Sequence, residues 1–113
     1  MLPPKNRLTK KSNFEKVKSE GKMFQSASFG LLVLERNDQT YSRFGFVVST
    51  KVSKSAVKRN KIKRYFRLAV NDLLESVKDG FDFIFLVKKD ALGTKQDKLS
   101  KEIEIAFSKI EAI

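Results

Sequence analysis

The side chains best suited to chemistry in this 113-residue chain fall in one run, Lys51–Arg67, KVSKSAVKRNKIKRYFR, with eight basic residues and no acidic one. Its densest part is Arg59-Asn60-Lys61-Ile62-Lys63-Arg64. Arginine and lysine neutralise phosphate, and an asparagine amide both donates and accepts hydrogen bonds. That is the chemistry of holding a polyanion, not of making or breaking a bond. A hydrolytic or nucleophilic centre has little to draw on, because the chain contains no histidine and no cysteine. Imidazole bases, thiolates, disulfides and the usual zinc sites are thereby excluded. Asp72, Asp79 and Asp82 show no paired spacing for Mg²⁺ and read as surface or turn residues, which disfavours a stand-alone nuclease.

A helix must position the run. At about 100° per residue, Ile62, Phe66, Ala69, Val70, Leu73 and Val77 share one face, while Asn60, Lys61, Arg64 and Arg67 point away. A solvated helix normally mixes charge signs to gain i,i+4 pairs. This one forgoes them in its first half, so a partner polyanion must supply the negative charge. The formal charge is +11, from 24 basic and 13 acidic residues. Residues 1–71 hold 17 basic and 4 acidic side chains and residues 72–113 hold 7 and 9, so the excess belongs to the first part of the chain. Nucleic acid is the natural partner, since each neutralised phosphate releases condensed counterion.

The rest reads as a single domain spanning 1–113, with residues 1–11 an extended, loosely ordered basic lead-in. Ser12-Asn13-Phe14-Glu15 has the form of a capping box for a short helix to Glu20, stopped by Gly21 in a left-handed conformation. Ser26–Leu34 and Arg43–Ser49 alternate as strands around an Asn37-Asp38-Gln39 turn, which predicts an antiparallel pair. A further short strand near Lys22–Phe24 is compatible with the pattern. Gly45 inside a strand suggests a bulge or a close backbone approach. Ser53 or Ser55 is placed to cap the central helix. Phe81–Val87 is the most apolar strand, and strand, helix, strand in this order predicts a parallel βαβ unit. Thr94 is the expected cap of a last helix carrying Leu99, Ile103, Ala106, Phe107 and Ile110 on one face. No apolar run approaches membrane-spanning length and no apolar signal region opens the chain, so the expectation is a soluble, cytoplasmic protein with no membrane association.

These residues carry a resemblance. Arg59-Asn60-Lys61-Ile62-Lys63-Arg64 resembles the RNR signature of the bacterial ribonuclease P protein component. Phe46-Val47-Val48-Ser49 and Lys51 before it, Tyr65-Phe66-Arg67 after it, the opening Arg7-Leu8 with Phe14, Val17 and Gly21, and Phe81-Asp82-Phe83-Ile84-Phe85 follow in the family's order and with similar gaps. The resemblance implies an α/β (α+β) sandwich: a mixed sheet of about four strands packed by helices, in the order α-β-β-β-α-β-α, with a left-handed βαβ crossover where the general rule is right-handed. It further implies a protein that binds a catalytic RNA and the 5′ leader of precursor tRNA. The RNA, with Mg²⁺ bound mainly to it, would do the hydrolysis, the chain alone would be inactive, and no obligate protein partner is implied. Lys51, Lys54, Arg59, Asn60, Lys61, Lys63, Arg64 and Arg67 would contact the RNA.

For the leader, the resemblance points to Phe14 as a stacking platform in a central cleft; Lys18, as a phosphate contact, and Phe46, as a substitute aromatic, are this chain's own candidates for the same role. Lys18 stands where many members have a second aromatic on the first helix, and Leu32 where many have a tyrosine. The link Val52-Ser53-Lys54-Ser55 lacks the frequent Gly-Asn turn. Leader recognition is therefore expected to be mainly electrostatic, with Phe44 and Phe46 as candidates for the missing stacking. The competing reading is a small basic ribosomal or other structural RNA-binding protein. A DNA-binding module is disfavoured because a Phe-rich strand, not a second short helix, precedes the basic run.

Overall fold

A computed structural model describes residues 2–113. Helix α1 (Lys11–Glu20) leads into strands β1 (Lys22–Gln25), β2 (Phe29–Glu35) and β3 (Arg43–Val47), then helix α2 (Ala56–Leu73), strand β4 (Phe81–Val87) and helix α3 (Gln96–Lys109). The four strands form one mixed sheet in the order β1-β2-β4-β3. β1 and β4 both run antiparallel to β2, and β3 runs parallel to β4. The parallel βαβ unit and the α+β sandwich are thus as expected. The predicted β2–β3 pairing is not formed. Phe81–Val87 is the strand with most to bury on both faces, and it takes the central place between them. The connection 36–42 clasps the segment entering β4, since Arg36 N–H donates to the Gly80 carbonyl and Gly80 N–H to the Thr40 carbonyl, both at 2.8 Å. Gly80 has φ +91°, and a Cβ there would stand 2.5 Å from the Asp38 carbonyl oxygen, so only glycine fits the clasp.

Alternation along the strands divides the core in two. Phe29, Leu31, Phe44, Phe83 and Phe85 face α2 and α3 and meet Phe66 and Phe107. The parallel register sets Phe44 on Phe83 and Phe46 on Phe85, with ring centroids 5.0 and 5.4 Å apart and nearly parallel planes. On the other face Leu32, Leu34 and Ile84 pack against Val17 of α1 and Leu8.

At several element ends tertiary contacts override the local sequence signal. From residue 2 onward the lead-in is not loose, residue 1 lying outside the described residues: Leu2, Asn6 and Leu8 are buried, Pro4–Asn6 forms a 3-10 turn, and Leu8 N–H donates to the Phe44 carbonyl at 2.9 Å. Anchored this way, the chain turns early and α1 is capped at Lys10 with no side-chain cap, so the Ser12–Glu15 capping box is not made. Gly21 has φ −76°, not a left-handed conformation. Its need is space, because a Cβ would lie 2.5 Å from the Val17 carbonyl oxygen and 3.0 Å from that of Val33. Thr94 does not cap α3: the N-cap is Lys95, and the Thr94 hydroxyl donates to the Asp90 carbonyl at 2.7 Å. Ser55 does cap α2, its Oγ accepting from Lys58 N–H at 3.3 Å.

Candidate nucleic-acid interface

Helix α2 rests on the sheet through Ile62, Phe66, Ala69 and Val70, all buried. That seat turns the basic residues outward. Asn60, Lys61 and Arg64 are exposed, as are Lys51 and Lys54 on the link that precedes the helix. Arg59 is half-buried, and its guanidinium donates to the Ser53 carbonyl at 2.9 Å, tying the link to the first turn. Lys63 and Arg67 are also half-buried; Arg67 lies 5.9 Å from the Phe46 ring, on the flank facing β3. Lys61 and Arg64 lie 5.8 and 5.9 Å from the Tyr65 ring on the other flank. The structure therefore gathers all eight proposed RNA contacts on one helix and its lead, split between two flanks.

None of these cations is paired with an acid. Among the described residues the ion pairs are Arg36–Asp38, Arg36–Asp82 and Arg43–Asp82. Asp82 is buried, accepts from Arg43 Nε and Nη2 at 2.8 and 2.7 Å, and is bonded by Arg36 Nη1 as well. Burial opposes the charge on Arg36, but the bond to Asp38 and the field and bond of Asp82 outweigh it and raise its pKa. Asp38, bonded by Arg36 and Thr40, is held well below the usual carboxylate range. Asp82, read from sequence as a surface or turn acid, is instead an internal counter-charge. Nothing near it in sequence announces this, since Arg36 and Arg43 come from other elements.

A second surface lies where α1 crosses the opposite sheet face. Phe14 is half-buried against this core, and its ring fits only because Gly45 has no side chain: a Cβ there would be 2.6 Å from Phe14 Cζ. This is the close approach that Gly45 was expected to mark, and the strand register runs through it without a bulge. Beside Phe14, Leu86 and Val47 stay half-buried on the neighbouring strands. Together they form an apolar shelf at the edge of α1, with Lys18 exposed on the helix. Phe46 does not join it. Its ring is on the other face, packed on Phe85 and 6.4 Å from Phe66. Phe44 is buried on that same face. Neither can supply stacking next to Phe14, because strand alternation sends them to the opposite side. Val47 and Leu86, which border the same core cluster as Phe14, are not singled out by sequence reasoning, although the parity of Val47 with Gly45 along its strand was an available signal.

An α+β sandwich that carries an unneutralised cationic helix on one side and a small aromatic-bearing apolar shelf on the other has the build of a small RNA-binding protein. The chain matches the family model described as Ribonuclease P over residues 2–111. It is 34% identical over 113 residues to the ribonuclease P protein component of Pseudanabaena sp., covering 100% of this chain and 97% of that one. It is 35% identical over 107 residues to that of Synechocystis sp., covering 95% and 86%. Among solved structures, the RNase P protein of Thermotoga maritima matches with a TM-score of 0.80 at 25% identity, over 91% of this chain and 96% of that one. That of Staphylococcus aureus shares the fold with a TM-score of 0.84 at 21% identity, over 95% and 96%. The chain belongs to the ribonuclease P protein component family, whose members are part of an endoribonuclease holoenzyme of tRNA processing.

Proposed function

We propose that this chain is the protein subunit of a ribonuclease P, binding the catalytic RNA through Lys51–Arg67 and the 5′ leader of precursor tRNA along the cleft beside Phe14. Hydrolysis is left to the RNA and its Mg²⁺. The observation that carries this reading is the unpaired charge: among the described residues the run's eight cations have no carboxylate partner, every ion pair lying instead among Arg36, Arg43, Asp38 and Asp82. A desolvated or poorly neutralised cationic face is matched by phosphate, which also gains the entropy of counterion release. Among the described residues no group of three or more His, Cys, Asp or Glu could hold a metal ion, and none of the helices is long and apolar enough to cross a membrane.

Reconstitution tests the proposal. Added to a bacterial ribonuclease P RNA at low Mg²⁺, the chain should stimulate leader removal, and without RNA it should cleave nothing. Absence of stimulation overturns the reading. Binding to that RNA should also be steeply salt-dependent. If about six phosphates are neutralised, the slope of log K against log[salt] is near −5, taking roughly −0.9 per contact from duplex DNA. A slope shallower than about −2 would mean that the basic helix is not the main contact.

The cleft makes a separate, smaller contribution. With one aromatic platform present and Phe46 turned away, leader binding is mainly electrostatic and nearly blind to base identity. Phe14→Ala should weaken holoenzyme affinity for leader-bearing precursor by about 1 kcal/mol, the low end for one stacked base. Homopolymeric leaders should differ by less than about tenfold. Loss of fold stability with leader affinity unchanged would instead make Phe14 a core residue only.

A further inference from the structure

The flank of α2 turned away from β3 borders a groove of about 680 Å³, closed on its other side by residues 91–96. Lys58, Lys61 and Lys95 line it, and among the described residues no acid does. Its apolar lining includes the buried Ile62 and Ala91 at the base and Tyr65, Leu68 and Leu92 above them, the two leucines remaining 38% and 40% exposed. Gln96 ties the two walls, its Nε2 donating to the Tyr65 carbonyl at 2.9 Å, and its Oε1 is buried with no partner. Gly93, at φ +78°, turns the loop at the rim of the groove and has nothing within 4 Å of where a Cβ would stand. Along the helix the groove-side stripe continues as Val57, Lys61, Arg64 and Leu68, at i, i+4, i+7 and i+11, with Val57 77% exposed. Two cations stand there between two apolar side chains that remain exposed.

We infer that this groove is a nucleotide site for the catalytic RNA: an unpaired base enters against Tyr65, Leu68 and Leu92 while Lys58, Lys61 and Lys95 hold the phosphates on either side. The inference rests on the reading of the chain as an RNA-binding subunit. Charge selects the class of ligand, since three lysines without an acid match a polyanion. The apolar floor selects an unstacked base over duplex backbone, because only an unpaired base can offer its face. Position selects the source. The groove adjoins the helix that carries the RNA-binding run, whereas Phe14 and the proposed leader cleft lie on the opposite face of the sheet.

The chain has two tyrosines and no tryptophan, so Tyr41→Phe leaves Tyr65 as the single tyrosine emitter. In that background, titration with a bacterial ribonuclease P RNA should quench Tyr65 emission with the midpoint found for binding by anisotropy. Lys95→Glu lies outside the basic run and places an acid at the N-terminus of α3, where the helix dipole favours it, so it should fold normally. It should weaken RNA binding about tenfold and suppress the quench, while Lys109→Glu at the far end of α3 does neither. RNA that binds tightly with the expected salt slope, but with no quench and no effect of Lys95→Glu, overturns the groove site and leaves the RNA-binding reading intact. Failure of the wild-type chain to bind the RNA at all overturns both.

Discussion

Phe66→Ala should cost about 3–5 kcal/mol of stability, the range for truncating a buried aromatic without room for the site to collapse. The ring is fully buried and lies 5.8 Å from Phe29 and 5.6 Å from Phe85, edge-on to both, so its loss opens a void between α2 and two strands at once. Arg64→Ala, two positions earlier on the exposed side, should change stability by less than about 0.5 kcal/mol. It should instead remove about 1–3 kcal/mol of RNA affinity, the scale of a charge-assisted contact. Urea denaturation followed by circular dichroism, paired with RNA titration, separates the two. An Arg64→Ala chain that unfolds, beside a harmless Phe66→Ala, would mean that the helix is rotated from the position described.

Asp82→Asn should be nearly as damaging although it keeps the side chain's shape. The carboxylate answers two guanidiniums, and removing one member of a buried ion pair leaves an uncompensated charge, typically at a cost of about 3–5 kcal/mol. Arg36 is 10% exposed and Arg43 30%, so Arg43 can turn partly to water and the expected loss is at the lower end, about 3 kcal/mol. The loss is read from the denaturant midpoint at pH 7. A change below about 1 kcal/mol would show that solvent already screens the group. Because Arg36 also donates to Asp38 and to the Thr40 and Tyr41 carbonyls, the variant should loosen the 36–42 connection as well.

What was legible in the sequence was what repeats along it. Ile62, Phe66, Ala69 and Val70 recur at helical spacing, and the Phe-rich strands alternate, so the cationic face of α2 and the sandwich could be read directly. Features set by distant contacts could not. Ser12 and Glu15 have the spacing of a capping box, but the helix starts earlier because Leu8 is pinned to Phe44. The short polar turn after Glu35 suggests a hairpin, yet β4 outcompetes β3 for the edge of β2 because it has more apolar surface to cover. Phe46 belongs to the opposite face from Phe14 by parity alone, but parity is informative only once the strand that carries Gly45 is known to lie beneath the Phe14 ring. The Asp82 cluster joins residues 36, 43 and 82, and no local pattern encodes it.

The central position of β4 bears on how the protein is made. A ribosome delivers β2, β3 and the whole of α2 before Phe81–Val87 exists, so the inner edges of β2 and β3 emerge with no strand between them. α2 likewise appears before Phe83 and Phe85, the rings on which it will sit. Until then its apolar stripe is uncovered and its lysines and arginines are displayed on an unsupported segment, a state open to chaperones and to premature capture by RNA. Pairing across so long a loop is also slow, because the chain entropy is lost before the contacts are gained. The C-terminal part of the molecule carries no excess of positive charge, yet it sets the moment during synthesis at which the RNA-binding face is completed.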